Sequence, residues 1–327
     1  MKRRQFLKSS LWATTTMPFI PLFGRPHLKA SDSSASKIIL ADNAGYANGE
    51  NTVNSYRIAK RLDEAIAAYF DAGDPLQGWK QVVRPSETIG LKVNCLSARG
   101  VTHPELVEAI IERLQQSGIR TDDIIIWDRL SSDLEDGGFT INYKQRGVKC
   151  YGNDYLGFNA GLQVFGSAGS RVCRTLTDRC DGIINLPLLK DHSIAGVTIS
   201  LKNMFGAIHN PHKYHLNSGD PYIADVNSFK PIRQKIRLNI VDALDAQYEG
   251  GPSFLPHWRW PCNTLLVGQD QVALDYTGWQ IIEHKRAEQQ RPSLKEAGRQ
   301  PSYIFTAADR KHQLGCADPQ NIKPIHI

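Results

Sequence analysis

The spacing of apolar and polar positions predicts two kinds of element along most of the chain. "KIILADN" (37–43), "TIGLKVN" (88–94), "DIIIWD" (123–128), "DGIINLP" (181–187) and "NTLLVG" (263–268) are short apolar runs bounded by turn residues, the pattern of strands buried on both faces. "SYRIAKRLDEAIAAYFDAG" (55–73) instead repeats Ile58, Leu62, Ile66 and Tyr69 at helical spacing and stops at Gly73. Thr102, with Pro104 in the first turn and Glu105 three residues on, forms a capping box that opens a helix from about His103 to Gly118. "PIRQKIRLNIVDALDAQY" (231–248) reads as a helix, and so does "DQVALDYTGWQIIEHKRAEQQ" (270–290), which Asp270 caps. "GVTISLKNMFG" (196–206) alternates Val197, Ile199 and Leu201 with Thr198, Ser200 and Lys202 and reads as a further strand.

Strand, helix and strand over residues 88–128 make a crossover unit of a parallel sheet. The prediction is one large α/β domain over residues 36–327, a mainly parallel or mixed central sheet flanked by helices. Residues 129–170, rich in Gly and polar side chains, supply loops or a small subdomain. "EGGPSFLPHWRWPC" (249–262) is a loop that closes over a pocket or packs down, and Trp258 and Trp260 within it stack on a ligand or on the core.

Charge changes this picture at the N-terminus. "MKRRQFLKSS" places Arg3-Arg4 before Phe6-Leu7-Lys8, and a short apolar run broken by Pro18 and Pro21 follows: a twin-arginine export signal over residues 1–35. Small residues place cleavage after Ala30 or Ala35. The apolar run is too short and too Pro-broken to remain as a membrane anchor. Residues 1–35 hold six basic side chains against Asp32, so the +6 of the whole chain leaves +1 after their removal. The remainder has no charge excess to draw it to nucleic acid or an anionic bilayer. The implied partner is the twin-arginine translocase and the implied location the periplasm or another exported compartment, reached after folding, a route often used when a cofactor is inserted first. Cys95, Cys150, Cys173, Cys180, Cys262 and Cys316 are scattered, with no Cys-x-x-Cys pair for zinc or an iron–sulfur cluster; Cys173 and Cys180 are close enough in sequence to pair under oxidation.

"LKVNCLSARGVTHPELVEAIIERL", "DGIINLPLLKDHSIAGVTISLKNMFGAI", "IVDAL" with its following "GGP", and "LLVGQDQVALD" together resemble the domain-of-unknown-function 362 family over residues 88–285. The resemblance implies an α/β fold and twin-arginine export. Some members carry ferredoxin-like modules, whose cysteines this chain lacks.

In open α/β sheets ligands bind beyond the carboxyl ends of the strands. The residues expected there are Asn94 and Arg99, Asp128, then Asn185, Lys190 and His192, and Lys202 with Asn203. Lys190, Lys202 and Arg99, with Asn94 and Asn203, suit a small anion such as a carboxylate or phosphate. His192 is the candidate proton carrier beside Lys190, because imidazole titrates near neutrality. "FGAIHNPHKYHLN" holds His209, His212 and His215, three of the chain's ten histidines. A regular helix would fan them around its axis, but Asn210-Pro211 interrupts it and lets them converge on Zn, Fe, Cu or Ni, with Asp128 or Asp225 as a further ligand. The alternative is a polar surface loop. Without a Gly-x-Ser-x-Gly elbow, a Walker loop or a Gly-x-Gly-x-x-Gly turn, serine-hydrolase, P-loop and standard dinucleotide chemistry are disfavoured. Two readings follow: an exported metal-dependent enzyme, hydrolytic or redox, acting on a small anionic substrate or cofactor, and a non-catalytic periplasmic protein that binds such an anion or cofactor.

Overall fold

Alternation along the strands sets the architecture. Ile38 and Leu40 of the first strand enter one core while Ile39 and Ala41 between them enter a second, so the sheet is buried on both faces. The structure is a computed structural model that describes residues 35–46, 52–144 and 146–327; the expected signal over residues 1–35 lies outside them except for Ala35. The strands are β1 (Ser36–Asp42), β2 (Ile89–Lys92), β3 (Ile124–Asp128), β4 (Lys149–Gly152), β5 (Phe158–Phe165), β6 (Ala168–Cys173), β7 (Gly182–Asn185), β8 (Leu188–His192), β9 (Gly196–Thr198), β10 (Ile236–Gln247), β11 (Arg259–Gly268) and β12 (Ile322–His326). Ten form one sheet in the order β12-β1-β11-β10-β7-β2-β3-β4, with β8 beside β10 and β9 beside β8; β5 and β6 make a separate hairpin. From β10 through β7, β2 and β3 to β4 every pairing is parallel, whereas β11 runs antiparallel to both its neighbours. The expected mixed α/β sheet is therefore present.

Helices α1 (Ser55–Tyr69), α2 (Pro75–Val82) and α3 (Pro104–Gln116) cover one face, where Ile58, Leu62, Trp79 and Ile110 pack with Leu91, Ile126 and Leu265. Short helices α4 (Ser131–Asp136) and α5 (Asn153–Leu156) flank β4. The other face is covered by α6 (Ser200–Asn203), α7 (Tyr222–Asn227), α8 (Lys230–Lys235), α9 (Gln271–Glu288) and α10 (Tyr303–Ala308). Each fully buried Leu or Ile in these layers contributes about 2 kcal/mol of transfer free energy. Among the described residues no helix is long and apolar enough to cross a membrane.

Several expectations need correction. Residues 231–248 are not one helix: only α8 is helical, and Ile236–Gln247 is a twelve-residue strand paired with β7, β8 and β11. With Leu238 and Ile240 in one core and Val241 and Ala243 in the other, apolar residues fall on both sides and the helical spacing is accidental. The expected strand at 196–206 ends at Thr198, because the buried Asp275 carboxylate accepts the backbone N–H groups of Ser200 (2.7 Å) and Leu201 (3.2 Å) and opens α6 there. Thr102 does not cap α3. Its hydroxyl donates to the Leu186 carbonyl and accepts from Asn94 N–H, tying β2 to β7 instead. Asp270 does cap α9, accepting from Ala273 N–H at 2.9 Å. The irregular middle holds α4, α5, β4 and the β5–β6 hairpin. All six cysteines are free thiols, Cys173 and Cys180 included.

Candidate functional site

Beyond the carboxyl ends of β2, β3 and β7 lies a cavity of about 360 Å³. Lys92, Asn94 and Asp128 reach it from β2 and β3, Lys190 and His192 from β8, Thr198 from β9, and Lys202 and Asn203 from α6. Phe205, Pro211, His212 and His215 form the wall that follows α6, while Leu96, Arg129, Asp133, Ile194 and Pro252 complete the lining.

Three lysines line it, and their partners differ. Lys92 Nζ is buried in an ion pair with Asp128 Oδ1 at 2.7 Å and also donates to the Val93 carbonyl. Lys190 Nζ donates to Asn94 Oδ1 at 3.0 Å, and Lys202 Nζ lies 3.0 Å from His215 Nε2 and 4.8 Å from the centre of the Phe205 ring. Neither Lys190 nor Lys202 forms an ion pair with a carboxylate among the described residues, although 5% and 8% of their surfaces are exposed. Burial lowers Lys190 to about 8, with Asp128 opposing, and burial followed by the Lys190 charge lowers Lys202 to about 7. Thr198, opposite Lys190 in the β8–β9 register, lines the same cavity with a buried hydroxyl that has no protein partner.

His192 and His215, two of the three imidazoles lining the cavity, stack with centroids 5.5 Å apart, and their partners assign them opposite tautomers. His192 Nδ1 receives the N–H groups of Ile194 and Ala195, each at 3.1 Å, so its proton is on Nε2 and it is a donor to the cavity. His215 Nδ1 faces the Pro211 carbonyl at 3.1 Å, which only accepts, so its proton is on Nδ1 and its Nε2 lone pair points at Lys202. Burial, then the neighbouring Lys202 charge, lowers His192 to about 2 and His215 to about 4, and both are neutral near pH 7.

Four asparagines run from the cavity into the sheet. Asn94 Nδ2 donates to Asn203 Oδ1 (2.9 Å), Asn203 Nδ2 to Asn185 Oδ1 (2.8 Å) and Asn185 Nδ2 to Asn239 Oδ1 (2.9 Å); Asn239 Nδ2 ends on the Gly268 carbonyl (3.4 Å). All four are buried, so the chain satisfies amides that would each cost about 1–3 kcal/mol if left unpaired.

Residues 89–280, more than half of the chain, match the family described as domain of unknown function 362. The chain belongs to this family. It is similar to a thylakoid-associated protein of Synechocystis sp., 24% identical over 227 residues that cover 64% of this chain and 67% of the relative. A crystal structure of a Thermotoga maritima protein aligns with a TM-score of 0.45 at 11% identity, over 73% of this chain and 60% of the other.

This member of the DUF362 family brings together most of the residues expected at the site, and leaves Arg99 and His209 outside it. Asn94, Lys190, His192, Lys202 and Asn203 converge as expected. Arg99 is exposed and does not line the cavity, because the loop after β2 turns it to solvent. The three histidines do not converge on one point. His212 and His215 stack at 6.1 Å on the cavity wall, whereas His209 is exposed, outside the cavity and edge-on to Phe158, its backbone N–H held by the Arg171 carbonyl. Asp128 is engaged by Lys92 Nζ, Cys95 N–H and Arg129 N–H, and Asp225 by His312 and Ser167 N–H, so neither carboxylate is left to complete a ligand set. Among the described residues no group of three or more His, Cys, Asp or Glu side chains is placed to hold a metal ion, and the expected Zn, Fe, Cu or Ni set does not fit. Sequence reasoning missed Lys92, inside an apolar run, and Asn239, inside the segment read as helix. Trp258 and Trp260 pack edge-on to Tyr248 rather than lining the cavity.

Proposed function

We propose that this protein binds a small organic anion, a carboxylate or phosphate compound, in the cavity at the carboxyl ends of β2, β3 and β7. The observation that carries the reading is the pair Lys190 and Lys202, two buried amino groups in one cavity wall without a carboxylate partner among the described residues. A buried charge is stable only when paired, and an anionic ligand supplies the missing partner. His192 Nε2–H and the Thr198 hydroxyl add neutral donors. The apolar groups of Leu96, Ile194, Phe205 and Pro252 suit the carbon skeleton of an organic molecule better than a bare inorganic ion. The twin-arginine pattern in the sequence supports export of the protein after folding.

Isothermal titration calorimetry of the tag-free protein with phosphate, oxalate and pyruvate tests the reading. Lys190→Met and Lys202→Met should each weaken binding by about tenfold to a hundredfold, the worth of a charged hydrogen bond, while circular dichroism stays native. Affinity unchanged in both variants, or no heat with any of the three anions, overturns it.

A further inference from the structure

Of the three lysines on the cavity wall, one has a base instead of an acceptor for its charge. Lys92 Nζ is engaged by the Asp128 carboxylate at 2.7 Å, and Lys190 donates to an asparagine amide. Lys202 Nζ faces the Nε2 lone pair of His215 at 3.0 Å, and the Pro211 carbonyl behind that ring fixes its tautomer. This is the arrangement of an activated nucleophile: nucleophile, base, and a third group that orients the base. Burial of the amine, and after it the neighbouring Lys190 charge, favour the uncharged form. In the same cavity Lys190 and His192 Nε2–H are donors for an oxygen.

Building on the anion-binding reading, we propose that Lys202 forms an imine with the carbonyl carbon of a small 2-oxo carboxylate whose carboxylate lies against Lys190. The amine lone pair makes the C–N bond as the carbonyl π pair moves to oxygen, which is protonated to give a carbinolamine. His215 Nε2 takes one proton from nitrogen and passes it to the departing hydroxyl. Both amine hydrogens leave with the carbonyl oxygen as one water, and a C=N bond remains. No oxidant or reductant is required.

The test is reductive trapping of the whole native protein with sodium cyanoborohydride and, separately, glyoxylate, pyruvate and 2-oxoglutarate, followed by intact mass and peptide mapping. The expected result is one N-carboxyalkyl group on Lys202 with at least one acid, formed at a rate that climbs with pH and levels off above about 7. Lys202→Arg, which has no nucleophilic amine, should give no adduct at position 202 with any of the three acids. His215→Gln should slow trapping at least tenfold without weakening binding to the same degree. The peptide map of the unaltered protein decides the matter even where a variant fails to fold. Calorimetric binding with no Lys202 adduct from any acid overturns the imine and leaves the anion site standing. Adducts on Lys92, Lys190 or surface lysines instead also overturn the imine. Neither binding nor trapping removes both readings.

Discussion

His103 is held between two carboxylates, Nδ1 at 2.8 Å from Asp242 and Nε2 at 3.6 Å from Asp245. Burial alone would lower its pKa, but Asp242 and Asp245 outweigh burial and raise it to about 10 from an ordinary 6.5. Folding therefore binds a proton across that window, and the contribution is complete below pH 6.5 and lost as pH rises through about 10. Lys202 and Lys190 act in the opposite sense, since folded values of about 7 and about 8 lie below the ordinary 10.5, so their burden on stability is relieved as pH rises. A single stability curve mixes the two, and variants separate them. Urea denaturation of His103→Gln should show a loss of about 3 kcal/mol at pH 6, the cost of leaving buried Asp242 without its cation, shrinking toward pH 10. Lys202→Met should instead gain stability at pH 6 and lose that advantage by pH 10.5. A pH-independent difference in either variant would assign the effect to packing. Anion affinity should likewise fall as pH rises through 7 to 8, with proton uptake on binding visible as a buffer-dependent heat.

Among the elements, α6 depends on its neighbour α9. Four residues make too short a helix to persist alone, and its opening N–H groups are held by Asp275, whose carboxyl is fully buried and pushed well above the usual carboxylate range by that burial. Asp275→Ala should cost about 1–2 kcal/mol as a lost cap and also weaken anion binding, because Lys202 and Asn203 ride on α6. Asp275→Asn retains one acceptor and should recover most of the binding; equal losses in both would mean that the charge, not the cap, matters. The same element shows where sequence pattern runs out. Val197, Ile199 and Leu201 alternate as a strand would, and only a carboxylate some seventy-five residues away turns the chain into a helix after Thr198. β10 failed for a related reason: with a core on each side of the sheet, apolar residues carry no period that distinguishes strand from helix. The single-faced helices α1 and α3 and the buried runs β2, β3 and β7 were legible because their surroundings impose one clear pattern.

For the whole molecule, the rule that ligands gather at strand carboxyl ends pointed to Asn94, Lys190, His192, Lys202 and Asn203, which line one cavity, because it needs only the order of elements. It misplaced Arg99, and the histidine spacing misplaced His209, since a backbone position near the site does not fix where a loop side chain points. Lys92 was hidden inside "GLKVN", and its partner Asp128 comes beside it only through the parallel register of Lys92 with Trp127. Two predictions belong at this scale. Thiol titration should give six free thiols after denaturation and, in the native state, fast reaction at the partly exposed Cys262 and Cys316 alone; a count of four would establish a bridge such as Cys173–Cys180. Replacing Arg3-Arg4 by Lys-Lys should leave the protein in the cytoplasm in cell fractionation, and undiminished export would defeat the twin-arginine reading.

The asparagine chain links the cavity to the far side of β10. Each amide gives a hydrogen to the next and receives one from the last, so the four behave as a row of compass needles: none can reverse unless all do. The row is pinned at both ends, by the Lys190 amino group that donates to Asn94 and by the Gly268 carbonyl that can only take. The cavity therefore always presents an oxygen of Asn94 to position 190, a polarity imposed from the interior of the sheet rather than by any ligand. A carboxylate at that position, as in Lys190→Glu, would set acceptor against acceptor and demand the inversion of the entire row.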